Sequence, residues 1–151
     1  MQRKGFSLIE LLVVCLIIGV LSSLALPNYN RSIERARVTE ALTMLRAIHD
    51  SCERLAIEHF QTGCEAGISS GIVTFPKLDM TVKGTFSNNG LTLTTENFIY
   101  TLGEDISATP VKGNYVGAII KLDNNNFVCT DGTSGQAATA CATWGSSTWN
   151  N

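Results

Sequence analysis

The chain of 151 residues has the length of one ordinary domain and is too short for two domains of full size. Charged residues make up 16% of it, below the roughly 25% of an average soluble domain, because one N-terminal block is almost wholly apolar. The net charge of −2 disfavours nucleic-acid binding that depends on neutralising phosphates. The composition therefore excludes a basic binding domain and directs attention to the apolar block.

The apolar block covers residues 6–26 and matches the ~20 residues that a helix needs to span a bilayer. Its only charged side chain is that of Glu10. Arg3 and Lys4 precede the block without any acid, so the positive-inside rule predicts a cytoplasmic N-terminus. We expect a transmembrane helix over residues 6–26.

The helical pattern continues beyond Pro27, a residue that usually ends or kinks a helix. Apolar residues recur there at the spacing of one helix face, and we predict an amphipathic continuation of the helix over residues 27–62. The apolar stripe consists of Ile33, Val38, Ala41, Leu42, Leu45, Ile48, Cys52, Leu55 and Ala56.

After Gly63 the long stripe gives way to short β-branched or aromatic runs separated by Gly, Ser, Thr and Asn. This region, residues 63–151, is predicted to be a β-rich head whose antiparallel sheet packs on the outer half of the helix, an α+β fold. Residues 71–77 are either another strand or a loop packed on the sheet. Strands are expected near residues 80–86, 97–102, 115–122 and 126–130, with a hairpin turn at 123–125.

Four cysteines lie outside the apolar block, which suggests two disulfides and an oxidising compartment. They allow three pairings. Cys52 to Cys64 and Cys129 to Cys141 each enclose eleven residues, so these two local bridges are the simplest arrangement and the one we predict. Cys15, inside the block, is interpreted as a small apolar packing residue.

The sequence RKGFSLIE at residues 3–10, followed by the apolar run with Gly19 and Pro27, resembles the N-terminal motif of the type IV filament superfamily. That superfamily includes type IV pilins and the pseudopilins of type II secretion. The resemblance implies a leader of residues 1–5, cleaved between Gly5 and Phe6 by a prepilin peptidase that also methylates the new N-terminus at Phe6. It further implies the pilin fold, in which a long N-terminal helix packs on an antiparallel sheet that ends in a disulfide-closed loop.

Glu10 has a physical reason to be functional beside the resemblance. A carboxylate inside a membrane helix costs about 2.5 to 3.5 kcal/mol on insertion scales, so it requires a cationic partner. Cleavage after Gly5 creates an α-amine at Phe6, and a neighbouring subunit can present that amine to Glu10. The pairing would neutralise two buried charges and fix the axial register between subunits.

The resemblance implies a structural subunit rather than an enzyme, with no cofactor and no metal. The precursor is expected as a single-pass protein of the bacterial inner membrane, where assembly machinery polymerises it into an extracellular helical filament for adhesion or twitching motility. In family filaments the stretch between the residues that match Gly19 and Pro27 can lose helical order, and both residues weaken helices.

Other functions remain open from the sequence. Ser23-Leu24-Ala25 has the pattern of a signal-peptidase site, which would give an ordinary secreted protein, and a plain single-pass anchor would leave Glu10 without a partner. A type II secretion pseudopilin is a further alternative, although major pseudopilins resemble one another in lacking cysteines and carrying an acidic calcium loop. A DNA-binding uptake pilin is another, but the only basic residues beyond Cys64 are Lys77, Lys83, Lys112 and Lys121.

Two smaller groups of residues allow two interpretations each. His49, His59, Cys52 and Cys64 include zinc-ligand types at short spacing, although a disulfide with surface histidines fits an extracytoplasmic protein better. The two tryptophans of the C-terminal tail either form an exposed adhesive tip or, as we favour, tuck onto the sheet edge. The acids of the head show no paired spacing typical of general acid and base catalysis.

Overall fold

A computed structural model describes residues 7–123, 126–133, 135–146 and 149 of the chain. Gly5 and Phe6, the two residues of the expected cleavage site, lie outside this range. The chain divides into two compact units, the first ending at Arg35 and the second beginning at Ala36.

The first helix, α1, spans Leu8–Glu58 and continues through Gly19 and Pro27 without interruption. In the first unit its large apolar side chains are exposed, from Leu8 at 88% to Leu26 at 61%. Among the described residues this is the one helix long and apolar enough to cross a membrane. An exposed surface of this kind requires lipid or other helices around it.

In the second unit α1 buries one face, which is the stripe expected from the sequence. Its fully or nearly buried positions follow the helical spacing, and Leu42 and Leu55 pack at the margins of the same core. The buried apolar positions are Val38, Ala41, Leu45, Ile48, Cys52 and Ala56.

The C-terminal end of α1 is closed by a Schellman arrangement. The Gln61 N–H donates to the carbonyl of Ala56 at 2.9 Å, and the Phe60 N–H donates to the carbonyl of Ile57 at 3.0 Å. Phe60 takes the left-handed backbone conformation that this motif requires, with φ 59°. The helix therefore ends four residues earlier than the predicted boundary at residue 62, at Glu58.

The sheet is a six-stranded antiparallel meander in sequential order. Its inner face supplies Leu93, Tyr100, Ala108 and Ile120 to the same core as α1, so the α+β architecture expected from the sequence is confirmed. The strands are β1 (Thr85–Ser87), β2 (Thr92–Thr94), β3 (Phe98–Thr101), β4 (Ile106–Pro110), β5 (Ile119–Asp123) and β6 (Asn126–Thr130).

The sequence pattern placed some strands wrongly. Only the end of residues 80–86 is a strand, and β5 begins at Ile119 rather than at residue 115, because Gly117 has φ +103° and turns the chain just before it. The strands β2 and β4 were not predicted. Asp123 pairs with Asn126 across the hairpin, whose two turn residues, 124 and 125, lie outside the described residues.

Between α1 and the sheet the chain forms a short helix, α2 (Cys64–Ser69), which was also not predicted. Residues 71–77 are not a strand. They are a loop that leads into a 3-10 turn at Phe75–Lys77, and Val73 and Phe75 are buried in the core. This agrees with the second of the two alternatives open from the sequence, a loop packed on the fold.

Candidate functional site

Glu10 lies in the first turn of α1, with its side chain directed back toward the N-terminus. Its Oε2 accepts a hydrogen bond from the backbone N–H of Ser7 at 2.9 Å, and a carboxylate at this position is also favoured by the helix dipole. The residues around it on the helix surface, Ile9, Val13 and Val14, are apolar and exposed. An acid cap is thus held in an apolar surface, next to the segment where the new N-terminus is expected.

Two disulfides close the head. Cys52 is bonded to Cys64 with a Cα separation of 5.2 Å, and Cys129 to Cys141 with a Cα separation of 5.7 Å. These are the local pairings expected from the spacing. Cys15 is a free and exposed thiol on α1. The first bridge joins the buried face of α1 to the start of α2, and the second ties β6 to the C-terminal tail.

The structure excludes the zinc interpretation of the cysteines near the end of α1, because Cys52 and Cys64 use their sulfurs in a bridge. His49 lies 3.6 Å from a carboxylate oxygen of Asp50 and 3.8 Å from one of Glu53. Glu53 itself accepts a hydrogen bond from the backbone N–H of Cys64 at 3.0 Å. The Glu53 hydrogen bond joins α1 to the start of α2, whereas the His49 contacts lie within α1.

A second group of metal-ligand types lies at the other bridge. Asp131 is near Cys129 and Cys141, but both sulfurs are in the disulfide. The carboxylate of Asp131 accepts a hydrogen bond from the backbone N–H of Cys141 at 2.7 Å. The group is therefore explained as a cap on the short helix α3 (Ala140–Trp144) and its disulfide.

The tail packs onto the core through its tryptophans. Trp144 is buried, and its ring meets that of Tyr115 edge to face with centroids 5.5 Å apart. Trp149 is partly buried against the same core. The described tail residues thus follow the tucked arrangement rather than the exposed tip.

A polar cluster that the sequence did not reveal links α1 to the loop after the 3-10 turn. Ser51, buried in the apolar face of α1, donates its hydroxyl to Asp79 and accepts the backbone N–H of Asp79 at 3.1 Å. Arg54 donates to both carboxylate oxygens of Asp79 at 2.9 Å. A serine in the apolar stripe beside Cys52 was the one signal in the sequence for this contact.

Three of the four lysines of the head make local contacts. Lys121 donates to Asp105 at 2.9 Å, which raises the pKa of the lysine through that hydrogen bond. Lys112 lies 3.7 Å from Glu96, and Lys77 donates to the carbonyl of Ile72 at 2.9 Å. These lysines therefore serve the fold of the head.

The described residues thus combine a helix long and apolar enough to cross a membrane, which carries one acid in its first turn, with a disulfide-bonded antiparallel sheet that shares a core with the outer half of that helix. Comparison with known proteins shows what the chain is similar to. Residues 1–26 match the family model described as the prokaryotic N-terminal methylation motif.

Several curated relatives match part of the chain. A fimbrial protein of Moraxella nonliquefaciens is 49% identical over 49 residues, 32% of each chain. The type IV major fimbrial protein FimA of Dichelobacter nodosus is 37% identical over 75 residues, 47% of this chain and 44% of the relative. The type IV major pilin protein PilE1 of Neisseria gonorrhoeae is 34% identical over 71 residues, 45% and 43%.

The chain covers less than half the length of each of these relatives, and no solved structure matches it significantly. The motif and the relatives show that the N-terminal part of the chain is similar to proteins of the type IV pilin family. That family consists of structural subunits and not of enzymes.

Proposed function

We propose that this chain is the precursor of a type IV pilus subunit. In this proposal a prepilin peptidase cleaves between Gly5 and Phe6 and methylates the α-amine of Phe6. The mature subunit is then held in the bacterial inner membrane with residues 6–26 as its anchor, residues 27–62 as the outer part of the helix with the turn that ends it, and residues 63–151 as the head. Assembly machinery polymerises it into an extracellular filament.

The observation that carries the proposal is the position of Glu10. Its carboxylate accepts a hydrogen bond from the N–H three residues nearer the N-terminus. It is therefore oriented toward a positively charged group at that end of a helix. A methylated amine of Phe6 from a neighbouring subunit would supply the cation and leave no buried charge unpaired. The contact joins different parts of two subunits, and a contact of this type continues into a helical filament.

The exposed surface of α1 in the first unit supports the same assignment. The large apolar residues from Leu8 to Leu26 are 47% to 88% exposed, and they would be covered by lipid before assembly and by other helices in the filament core. Gly19 and Pro27 are proposed to let this stretch lose helical order in the filament.

The relatives reported above are named as fimbrial proteins and major pilins, which supports a pilus subunit over a secretion pseudopilin. The local contacts of Lys77, Lys112 and Lys121 give no support to a DNA-binding head. Piliation of the cell and a salt-dependent DNA-binding assay would separate these functions.

The decisive test is the N-terminal sequence and intact mass of the mature protein recovered from the cell surface. A start at Phe6 with the mass of one added methyl group is expected. A start at Leu26 would mean cleavage by signal peptidase and would overturn the proposal.

A further inference from the structure

Phe60 combines full exposure with a backbone conformation that its side chain disfavours. Its side chain is 97% exposed, and its φ of 59° lies in the left-handed region, where residues with a bulky side chain are rare. The position is the one that follows the end of a helix in a Schellman motif, where glycine is the usual residue. The folded subunit thus accepts backbone strain without burying the aromatic ring.

Single exposed apolar residues are common and need no explanation. Phe60 differs because glycine or asparagine would fit the backbone better and would leave no aromatic ring in water. Strain of this kind is typical of sites where the side chain is used. Ile57, one helical turn earlier, is also 65% exposed, so the end of α1 presents two apolar side chains.

The backbone that carries Phe60 is held rigidly on both sides. The bridge between Cys52 and Cys64 spans it, and Glu53 accepts the N–H of Cys64 at 3.0 Å. The Gln61 N–H is bonded to the end of α1 at 2.9 Å. An aromatic side chain on a rigid base loses little conformational freedom on binding, which is the property of an anchor residue at an interface.

The charges around these two side chains indicate the chemistry of the partner. The last turn of α1 contains no basic residue, and Asp50, Glu58 and Glu65 are exposed nearby in the chain. Arg54, the one arginine of residues 50–65, donates to Asp79 through Nε and Nη2. The partner surface should therefore be basic, with apolar or aromatic side chains beside the charge.

The chain contains such a surface on its own helix. Residues 28–37 have the sequence NYNRSIERAR, with three arginines and one glutamate, a net charge of +2 (3 minus 1). Tyr29 is 63% exposed and Arg31 is exposed. An arginine can stack on the ring of a phenylalanine while it faces acidic groups.

We propose that Phe60 and Ile57 dock on the segment 28–37 of a neighbouring copy of this chain. In this contact Arg31 lies against the ring of Phe60 and faces the exposed acids near the end of α1. This inference rests on the proposed function as a filament subunit. The two surfaces lie on different parts of the chain. Each copy can therefore use one surface with each of two neighbours, and such a head-to-tail contact can continue along a filament.

The first test compares wild type with Phe60→Gly in two measurements. Thermal unfolding of the full-length chain in detergent micelles reports the fold, and the amount of filament sheared from cells reports assembly. The substitution should raise Tm by about 1 to 4 °C, because it relieves the left-handed strain, and should lower filament yield at least about tenfold. Phe60→Asn should act in the same direction, because asparagine also tolerates this conformation.

Val128→Thr is the matched control, since Val128 is a 43% exposed apolar residue on β6 and its loss should leave the filament yield unchanged. A charge exchange tests the partner surface. Glu58→Arg or Arg31→Glu alone should reduce filament yield, and the double variant should recover part of it.

A lower Tm for Phe60→Gly would show that the ring serves the fold and would overturn the inference. If the wild-type chain forms filaments and Phe60→Gly gives the same yield, the inference is overturned and the proposed function stands. Unchanged yield with lost surface attachment would place the partner outside this chain, also against the inference. If the wild-type chain forms no filament, both proposals fail.

Discussion

Asp79 is clamped by the guanidinium of Arg54, which donates from Nε at 3.1 Å and from Nη2 at 2.9 Å. The hydrogen bonds from Arg54, and then the one from Ser51, favour the ionised carboxylate. They hold the pKa of Asp79 below its ordinary value of 3.8. The same contact raises the pKa of Arg54. The pair fixes the loop after the 3-10 turn to the end of α1.

The stability that Asp79 contributes should depend on pH. Its folded pKa lies below the unfolded value, so the contribution is complete above 3.8 and is lost as the pH falls through the lower folded pKa. Asp79→Asn should have a lower Tm than wild type at pH 7, and the difference should shrink in acid. Thermal unfolding of both proteins across pH measures this difference in Tm. Glu96→Gln is the control and should change Tm little, because Glu96 only forms an exposed pair with Lys112 at 3.7 Å. A difference that is constant with pH would contradict the assignment.

The two disulfides should differ in their accessibility to a reductant. Cys52 and Cys64 are 0% and 4% exposed, whereas Cys129 is half-buried and Cys141 is 9% exposed. Mild reduction followed by alkylation and mass spectrometry should label Cys129 and Cys141 first. Replacing either pair by serine should cost about 2 to 4 kcal/mol of unfolding free energy, and Cys15→Ser, at an exposed thiol, should cost little. Simultaneous reduction of both bridges would refute the order.

Gly67 is required by the close packing of α2 on the core. A Cβ there would lie 2.6 Å from Cγ2 of Val73 and 3.2 Å from the Cβ of Ala56, and both are fully buried. Gly67→Ala should therefore destabilise the head by about 1 to 3 kcal/mol. Gly103→Ala is the matched control, because its Cβ would meet only the carbonyl of Asp105 at 3.6 Å. Equal Tm values for the two variants would show that α2 can move aside.

Glu10→Gln should block efficient assembly or methylation while leaving membrane insertion intact. The amide removes the charge that is proposed to pair with the amine of Phe6, and a buried amine without its partner is strongly unfavourable. Filament yield should fall at least about tenfold, with normal amounts of subunit in the membrane fraction. Glu104→Gln, an exposed acid of the head, serves as the control. Wild-type piliation in Glu10→Gln cells would remove Glu10 from the proposed mechanism.

Much of the helix could be predicted from the sequence because its signals are local. The apolar block and the buried stripe from Val38 to Ala56 follow directly from spacing. Glu10 was found by its chemistry, as the only charge in an apolar segment. The end of α1 was placed too late because Phe60 occupies a position where the sequence signal would be glycine.

The sheet was harder, since its short strands acquire their identity from neighbours. Thr92–Thr94 and Ile106–Pro110 were not predicted, because the first is only three residues long and the second ends in a proline. Both become strands because they pair with β3 on either side.

The sequence alone determined the membrane-length helix, its acid, its buried stripe and two economical disulfide pairings, because each depends on residues close together in the chain. Only the tertiary structure decided how the strands pair, that Ser51 and Arg54 hold Asp79, that Trp144 is buried against Tyr115 and that Phe60 is strained and exposed. Those features depend on which distant segments meet in the folded core, and the sequence pattern of one segment does not identify the segment that it will contact.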